Sequence, residues 1–145
     1  MKNQILSIAM LCGLVAVIPA HAETETWTCS YDGTWDTFNS SNEGVFNWHI
    51  KWQLNDEGKW DITGNYSDRY GDSTLNGSCD DDSCLLSQVY SSGDLQGKRY
   101  YWRGDYKDEQ TNNTTTTNSF TGTWGANRTA TDGGNWKAVA TCVRG

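Results

Sequence analysis

The sequence predicts an all-β domain: a small, disulfide-stapled antiparallel β-barrel or strongly coiled meander of about seven to eight strands. Three observations carry this reading. Large and polar residues alternate with a period of two through most of the chain beyond residue 25, and no segment there has helical spacing. Glycines recur between pairs of large residues on the same side of those segments. Four cysteines follow a leader of the exported type. A two-sheet sandwich is the alternative arrangement of the same strands.

Trp27 to Trp35 opens the series. Phe46, Trp48, Ile50, Trp52 and Leu54 then alternate with Asn47, His49, Lys51 and Gln53, as in a half-buried strand. Asn55-Asp56-Glu57-Gly58 reads as a turn, with Gly58 suited to positive φ. Trp60, Ile62, Gly64 and Tyr66 continue as an antiparallel neighbour, and Leu85 to Tyr90 forms another strand. Tyr100, Trp102, Gly104 and Tyr106 share one face, as do Phe120, Gly122 and Trp124. The last strand sets Trp136, Ala138, Ala140 and Cys142 against Lys137, Val139, Thr141 and Val143. Lys107 to Asn118, rich in Asn and Thr, is expected to be a long hairpin loop or in part a threonine-rich extension of an edge strand. Ser67 to Ser73 and Ala126 to Asn135 are the other polar connections.

A loose motif, large residue, any residue, glycine, any residue, large residue or cysteine, recurs at Tyr31–Trp35, Ile62–Tyr66, Leu75–Cys79, Trp102–Tyr106 and Phe120–Trp124. Its intervals are unequal, so it is not a repeat array. Glycine on an aromatic face permits coiling and leaves room beside its neighbours. The Gly33–Trp35 and Phe120–Trp124 segments, with Phe46-Asn47-Trp48, resemble those of avidin-like up-and-down barrels, which are small, exported and rich in barrel-facing aromatics. The resemblance implies a barrel and carries no ligand with it.

Lys2, the apolar run from Ile5 to Ile18, Pro19 and the small residues of Ala20-His21-Ala22 form a secretory signal in its usual order. The expected organisation is a signal peptide over 1–22 and one domain over 23–145, delivered to the periplasm or secreted. Cys12 leaves with the leader. Cys29, Cys79, Cys84 and Cys142 then permit three disulfide pairings. Cys79–Cys84 is favoured as the closure of a small acidic loop. Cys29–Cys142 is favoured as a join between first and last strands lying side by side. Zinc on the four cysteines fits less well, because the spacing lacks two close pairs.

The formal charge is -7. An acidic chain with scattered lysines and arginines is a poor match for nucleic acid. No apolar run beyond the leader is long enough to insert in a membrane. Catalytic signals are sparse. His49 is the one histidine after the leader and should face outward, and there is no nucleophile elbow, phosphate loop or zincin motif. Asp61 and Asp105 are candidates for a paired-carboxylate glycoside-active site, but both point away from the aromatic face, where little raises the pKa of an acid. Asp80, Asp81 and Asp82 lack the ligand spacing of an EF-hand. No catalytic, cofactor-binding or metal-binding residue is assigned.

Eight tryptophans, seven tyrosines and three phenylalanines remain to be explained. Most should fill the core of a short chain; some would line a ligand site. Trp27, Tyr70 and Tyr101 are the least securely inward. Tyr101 should stand exposed between Arg99 and Arg103, a stripe of the kind that anchors protein interfaces. The expectation is therefore a non-catalytic exported interaction module, of inhibitor or immunity type. Its partner would be a basic extracytoplasmic enzyme such as a cell-wall hydrolase, met through Asp80–Asp82 or the Arg99-Tyr101-Arg103 stripe. The alternative is a ligand barrel for a sugar or small hydrophobic molecule. That reading requires an open cavity beside inward aromatics, expected near Gly64, Gly104 and Gly122.

Overall fold

A computed structural model describes residues 25–145, which form a closed antiparallel barrel of eight strands in simple meander order. The strands are β1 (Thr26–Asp36), β2 (Glu43–Leu54), β3 (Trp60–Asp68), β4 (Gly71–Cys79), β5 (Ser83–Tyr90), β6 (Arg99–Asn112), β7 (Thr115–Gly125) and β8 (Gly134–Arg144). The secretory signal expected over 1–22 lies outside the described residues. Each strand follows the period-two rule: in β8, for example, buried and exposed residues alternate from Gly134 to Val143. His49, Asp61 and Asp105 all fall on the outer, exposed face.

β1 pairs with β2 along one edge and with β8 along the other, so the sheet has no free edge. Cys29 stands opposite Cys142 in that closing pair, and Cys79 opposite Cys84 across the β4–β5 turn; both pairs are disulfides. The start of β1 and the end of β8 meet at the same end of the barrel, where the Gly145 N–H donates to the Thr26 carbonyl at 2.9 Å. This lower end also carries the 55–59, 80–82 and 113–114 turns; the 37–42, 69–70, 91–98 and 126–133 connections form the upper end.

An eight-stranded barrel is just wide enough to be filled by side chains or to hold one small ligand. Most of this one is filled. Trp48 packs near mid-height against Phe46, Trp136 and Trp102, with ring centroids 5.1, 5.0 and 5.7 Å away. Below it, Trp52 stacks on Phe120 at 5.9 Å and meets the edges of Tyr106 and Trp60. Trp27 is wholly buried and so belongs to this core.

The inward glycines are seats for these rings. A Cβ on Gly104 would stand 2.5 Å from the Trp136 ring, and one on Gly33 would overlap Phe46. The space expected beside Gly104 is thus occupied by an indole, whose Nε1 donates to the Arg103 and Thr123 carbonyls at 3.1 and 2.9 Å. Gly64 and Gly122 would instead collide with the carbonyls of His49 and Arg103 across the ladder, so there the missing side chain permits close approach of backbones.

The segment expected as a loop over Lys107–Asn118 is mostly strand. β6 and β7 run on to a turn at Asn113-Thr114, with one irregularity between Gln110 and Asn112. The inward residues here, Thr116 and Asn118, are polar yet fully buried. Asn118 accepts from the Tyr31 hydroxyl at 2.5 Å and donates to Asp108 at 2.6 Å, while Trp52 Nε1 donates to the Tyr31 hydroxyl at 3.2 Å. Hydrogen bonds among Tyr31, Asn118 and Asp108 stand where apolar packing would be, and the Thr116 hydroxyl is buried beside them without a hydrogen-bond partner, which is why the hydrophobic alternation fades there.

Two stability predictions follow from closure and packing. Replacing Cys29 and Cys142 by alanine, 113 residues apart, should cost about 5 kcal/mol in denaturant unfolding on a chain-entropy basis. The same change at Cys79 and Cys84, 5 residues apart, should cost about 2 kcal/mol. Equal losses would show that closure of the long loop is not the main contribution. Gly104→Ala, which forces the Trp136 ring to move, should lower stability by about 1–3 kcal/mol. An unchanged denaturation midpoint would show that the indole has room to spare.

Candidate binding site

The upper third of the barrel is not filled. A cavity of about 260 Å³ opens between the strand ends, lined by twelve residues from β1, β3, β5, β6, β7 and the upper connections. Its most buried members are Tyr66, Gln88, Tyr90 and Trp102, which make the floor; the half-buried Tyr70, Tyr100 and Trp124 stand as walls beside Trp35. Leu95, Thr37 and Asn42, from the connections, complete the lining.

The rings form a closed circuit. Trp124 lies 5.8 Å from Tyr100, Tyr100 6.1 Å from Tyr90, Tyr90 6.1 Å from Tyr66, Tyr66 5.6 Å from Trp102, and Trp102 6.1 Å from Trp124. Trp35 extends it, with Trp124 at 6.0 Å and Tyr70 at 6.2 Å. Each ring is braced by its neighbour in edge-on, tilted or offset geometry, so the walls are held before any ligand arrives. Trp124 is fixed further by donating Nε1–H to the Asp36 carbonyl at 2.8 Å. Gly133 leaves the space its ring fills.

Among the described residues, Asp68 supplies the only formal charge in the lining. It continues the inward parity of Ile62 and Tyr66 to the last residue of β3. Its Oδ2 accepts from the Tyr66 and Tyr90 hydroxyls at 2.5 and 2.7 Å, and its Oδ1 from the Tyr70 N–H at 2.8 Å. Gln88 is buried beneath, donating to Ser73 at 2.8 Å and accepting from Trp102 Nε1 at 2.7 Å. Burial holds the Tyr66 and Tyr90 phenols well above the usual tyrosine pKa, and the Asp68 carboxylate beside them pushes the same way. Arg69 stays outside the cup. Its guanidinium packs over the Trp35 and Tyr70 rings at 5.4 and 5.0 Å and donates to the Tyr70 hydroxyl.

Compared with protein families, with characterised proteins and with solved structures, the chain matches none. The chemistry of the site must therefore be read from its geometry.

The other singled-out residues lie apart from the cup. Asp80, Asp81 and Asp82 are exposed at the lower rim. The Asp80 carboxylate turns back to accept from the Asp82 and Ser83 N–H groups at 3.0 and 2.9 Å, which lowers its pKa. Its carbonyl accepts from the Tyr106 hydroxyl at 2.7 Å. Arg99, Tyr101 and Arg103 climb the outer face of β6, above the level where Ser83 pairs with Asp105. They form no isolated stripe. Arg99 donates to Ser87, Arg103 to the Thr129 carbonyl, and the half-buried Tyr101 lies under the Arg128 guanidinium at 5.7 Å.

Ser30 Oγ and His49 Nδ1 lie 3.2 Å apart on the flat outer wall, with no hydrogen bond or ion pair from the imidazole to a carboxylate among the described residues. Asp61 and Asp105 project from strands on different sides of the barrel and share no cleft. Among the described residues no cluster of three or more His, Cys, Asp or Glu is arranged to hold a metal.

The parity of the strands already marked Tyr66, Tyr100, Trp102 and Trp124 as inward, while Tyr90 stands in a predicted strand without an assigned face. Asp68 and Gln88 carry the same signal, two residues beyond Tyr66 and two beyond Leu86. Reading 67–73 as a polar connection hid the first of them.

Alkali supplies a direct check. Tyr31, Tyr66, Tyr90 and Tyr106 all have raised pKa values from burial. In the unfolded chain they would ionise near pH ~10. Their neutral forms therefore support the fold fully below that pH, and the support is lost as pH rises above it. The tyrosinate absorbance of these four should appear together with loss of near-ultraviolet circular dichroism. Complete ionisation of all seven tyrosines with the fold intact would refute this.

Proposed function

We propose that the protein is a non-catalytic, exported binding barrel that takes one small molecule into the aromatic cup at its upper mouth. The supporting observation is the unfilled, ring-lined cavity of about 260 Å³ above a core of packed aromatic side chains. Its size is a little under the ~300 Å³ at which small-molecule sites begin, which favours a compact ligand over an extended one. The lining follows the usual division of labour, with rings for contact area and a few fixed polar groups for orientation. Two disulfides suit an oxidising compartment and agree with the leader's export signal.

Contact with a basic protein partner is a separate proposal. Its support is the exposure of Asp80, Asp81 and Asp82 at the lower rim, well away from the cup. Charge reversal of Asp81 and Asp82 should then abolish complex formation while leaving the cup untouched.

The binding reading is tested by titrating a panel of neutral, cationic and anionic ring compounds and following the indole N–H resonances. A true ligand should shift Trp35, Trp102 and Trp124 and leave Trp27 and Trp60, at the opposite end, in place. Tyr70→Ala and Trp124→Ala should each weaken binding about tenfold, the scale of losing a well-packed aromatic contact. A panel without any binder, or shifts confined to the outer wall, would sink the proposal.

A further inference from the structure

We infer that the ligand of the cup is an organic cation, a compact molecule carrying a quaternary ammonium group. This rests on the binding reading above and adds the chemical class to it.

The first ground is charge. The lining contains one ionisable carboxylate and no cationic side chain. Among the described residues no ion pair reaches Asp68. Its three partners, two phenol hydroxyls and a backbone N–H, are neutral donors that hold the carboxylate in place and leave its charge uncompensated. A charge set in an apolar enclosure calls for a counter-charge. The cup thus repels anions and offers a cation a partner that a neutral guest does not use.

The second ground is the rings. Aromatic faces carry negative potential, and cations bind over them within about 6 Å of the centroid. The protein already uses this outside the cup, where the Arg69 guanidinium rests on Trp35 and Tyr70. On the inner side, the walls made by Tyr70, Tyr100 and Trp124 surround a void rather than a side chain.

The third ground separates quaternary from primary ammonium. An –NH₃⁺ group brings three N–H donors that each need an acceptor. Here Asp68 has already accepted three hydrogen bonds of the roughly four a carboxylate can take. Gln88 Oε1 is engaged by Trp102, and both floor hydroxyls spend their protons on Asp68 and keep only lone pairs, so every acceptor on the floor is already part of a hydrogen bond. A quaternary ammonium has no N–H to satisfy, spreads its charge over methyl groups, and suits a small cup walled by rings.

The test compares choline with 3,3-dimethylbutan-1-ol, its neutral counterpart in which carbon replaces the charged nitrogen, by calorimetry on the oxidised protein. Choline should bind at least about tenfold more tightly than the alcohol. Asp68→Asn keeps shape and removes charge; it should cut choline affinity about tenfold and leave the alcohol unaffected. Trp124→Leu keeps an apolar wall without the π face and should weaken choline selectively. It decides the matter if Asp68→Asn disturbs the fold as seen by circular dichroism. Equal affinity for the two probes overturns the cation assignment and leaves the cup as a binding site. No binding of choline in the millimolar range also overturns it, and the ring-compound panel then judges the wider reading independently.

Discussion

Closure of β1 on β8 fixes the cross-section of the barrel, and that cross-section decides what every inward residue must do. A closed eight-stranded wall has one interior of nearly constant width. It must be filled, hydrated or occupied at each level. Large rings fill it efficiently in a short chain, but they need gaps in the wall to lie across. The glycines on inward positions provide those gaps, as Gly33 does for Phe46 and Gly104 for Trp136. Below Trp136, β8 sets the small Ala138 and Ala140 beside the rings of Phe120 and Tyr31, their pairing partners. Small beside large is how the interior reaches close packing without strain.

The same wall gives the two ends different chemistry. At the lower end, Tyr31, Asn118 and Asp108 form a chain of hydrogen bonds beneath a plug of indoles. The Asn118 amide joins the other two, accepting from one and donating to the other. At the upper end the rings contact one another round a perimeter rather than through the centre. The charged group at its base is anchored by tyrosines that gain nothing by ionising. One end is a finished interior, whereas the other is a rigid frame around unfilled space.

Much of this was legible in the sequence. The alternation from Phe46 to Leu54 and its echo from Trp60 to Tyr66 give strand parity directly, and the structure has those faces inward. Both disulfides follow from simple reasoning about which cysteines a meander brings together. The lower halves of β6 and β7 were obscure because Thr116 and Asn118 are inward without being apolar, and alternation of hydrophobicity does not register buried polar side chains. The site was half legible. Parity identifies which aromatics point inward, but not at which level the packing stops. That depends on Trp136 and Phe46 taking the glycine seats lower down, a matter of three-dimensional volume. Asp68 escaped because a polar residue at a strand end reads as a connection, and Gln88 because a polar residue within a strand gives no sign of facing inward.

The position of Gly145 bears on how the barrel presents itself. Thr26 and Gly145 are hydrogen-bonded neighbours at the end opposite the cup. Whatever is joined there, a tether, a solid support or a fluorescent reporter, holds the barrel by its base with the mouth facing away. Immobilised through its C-terminus, the barrel would turn its cup away from the support.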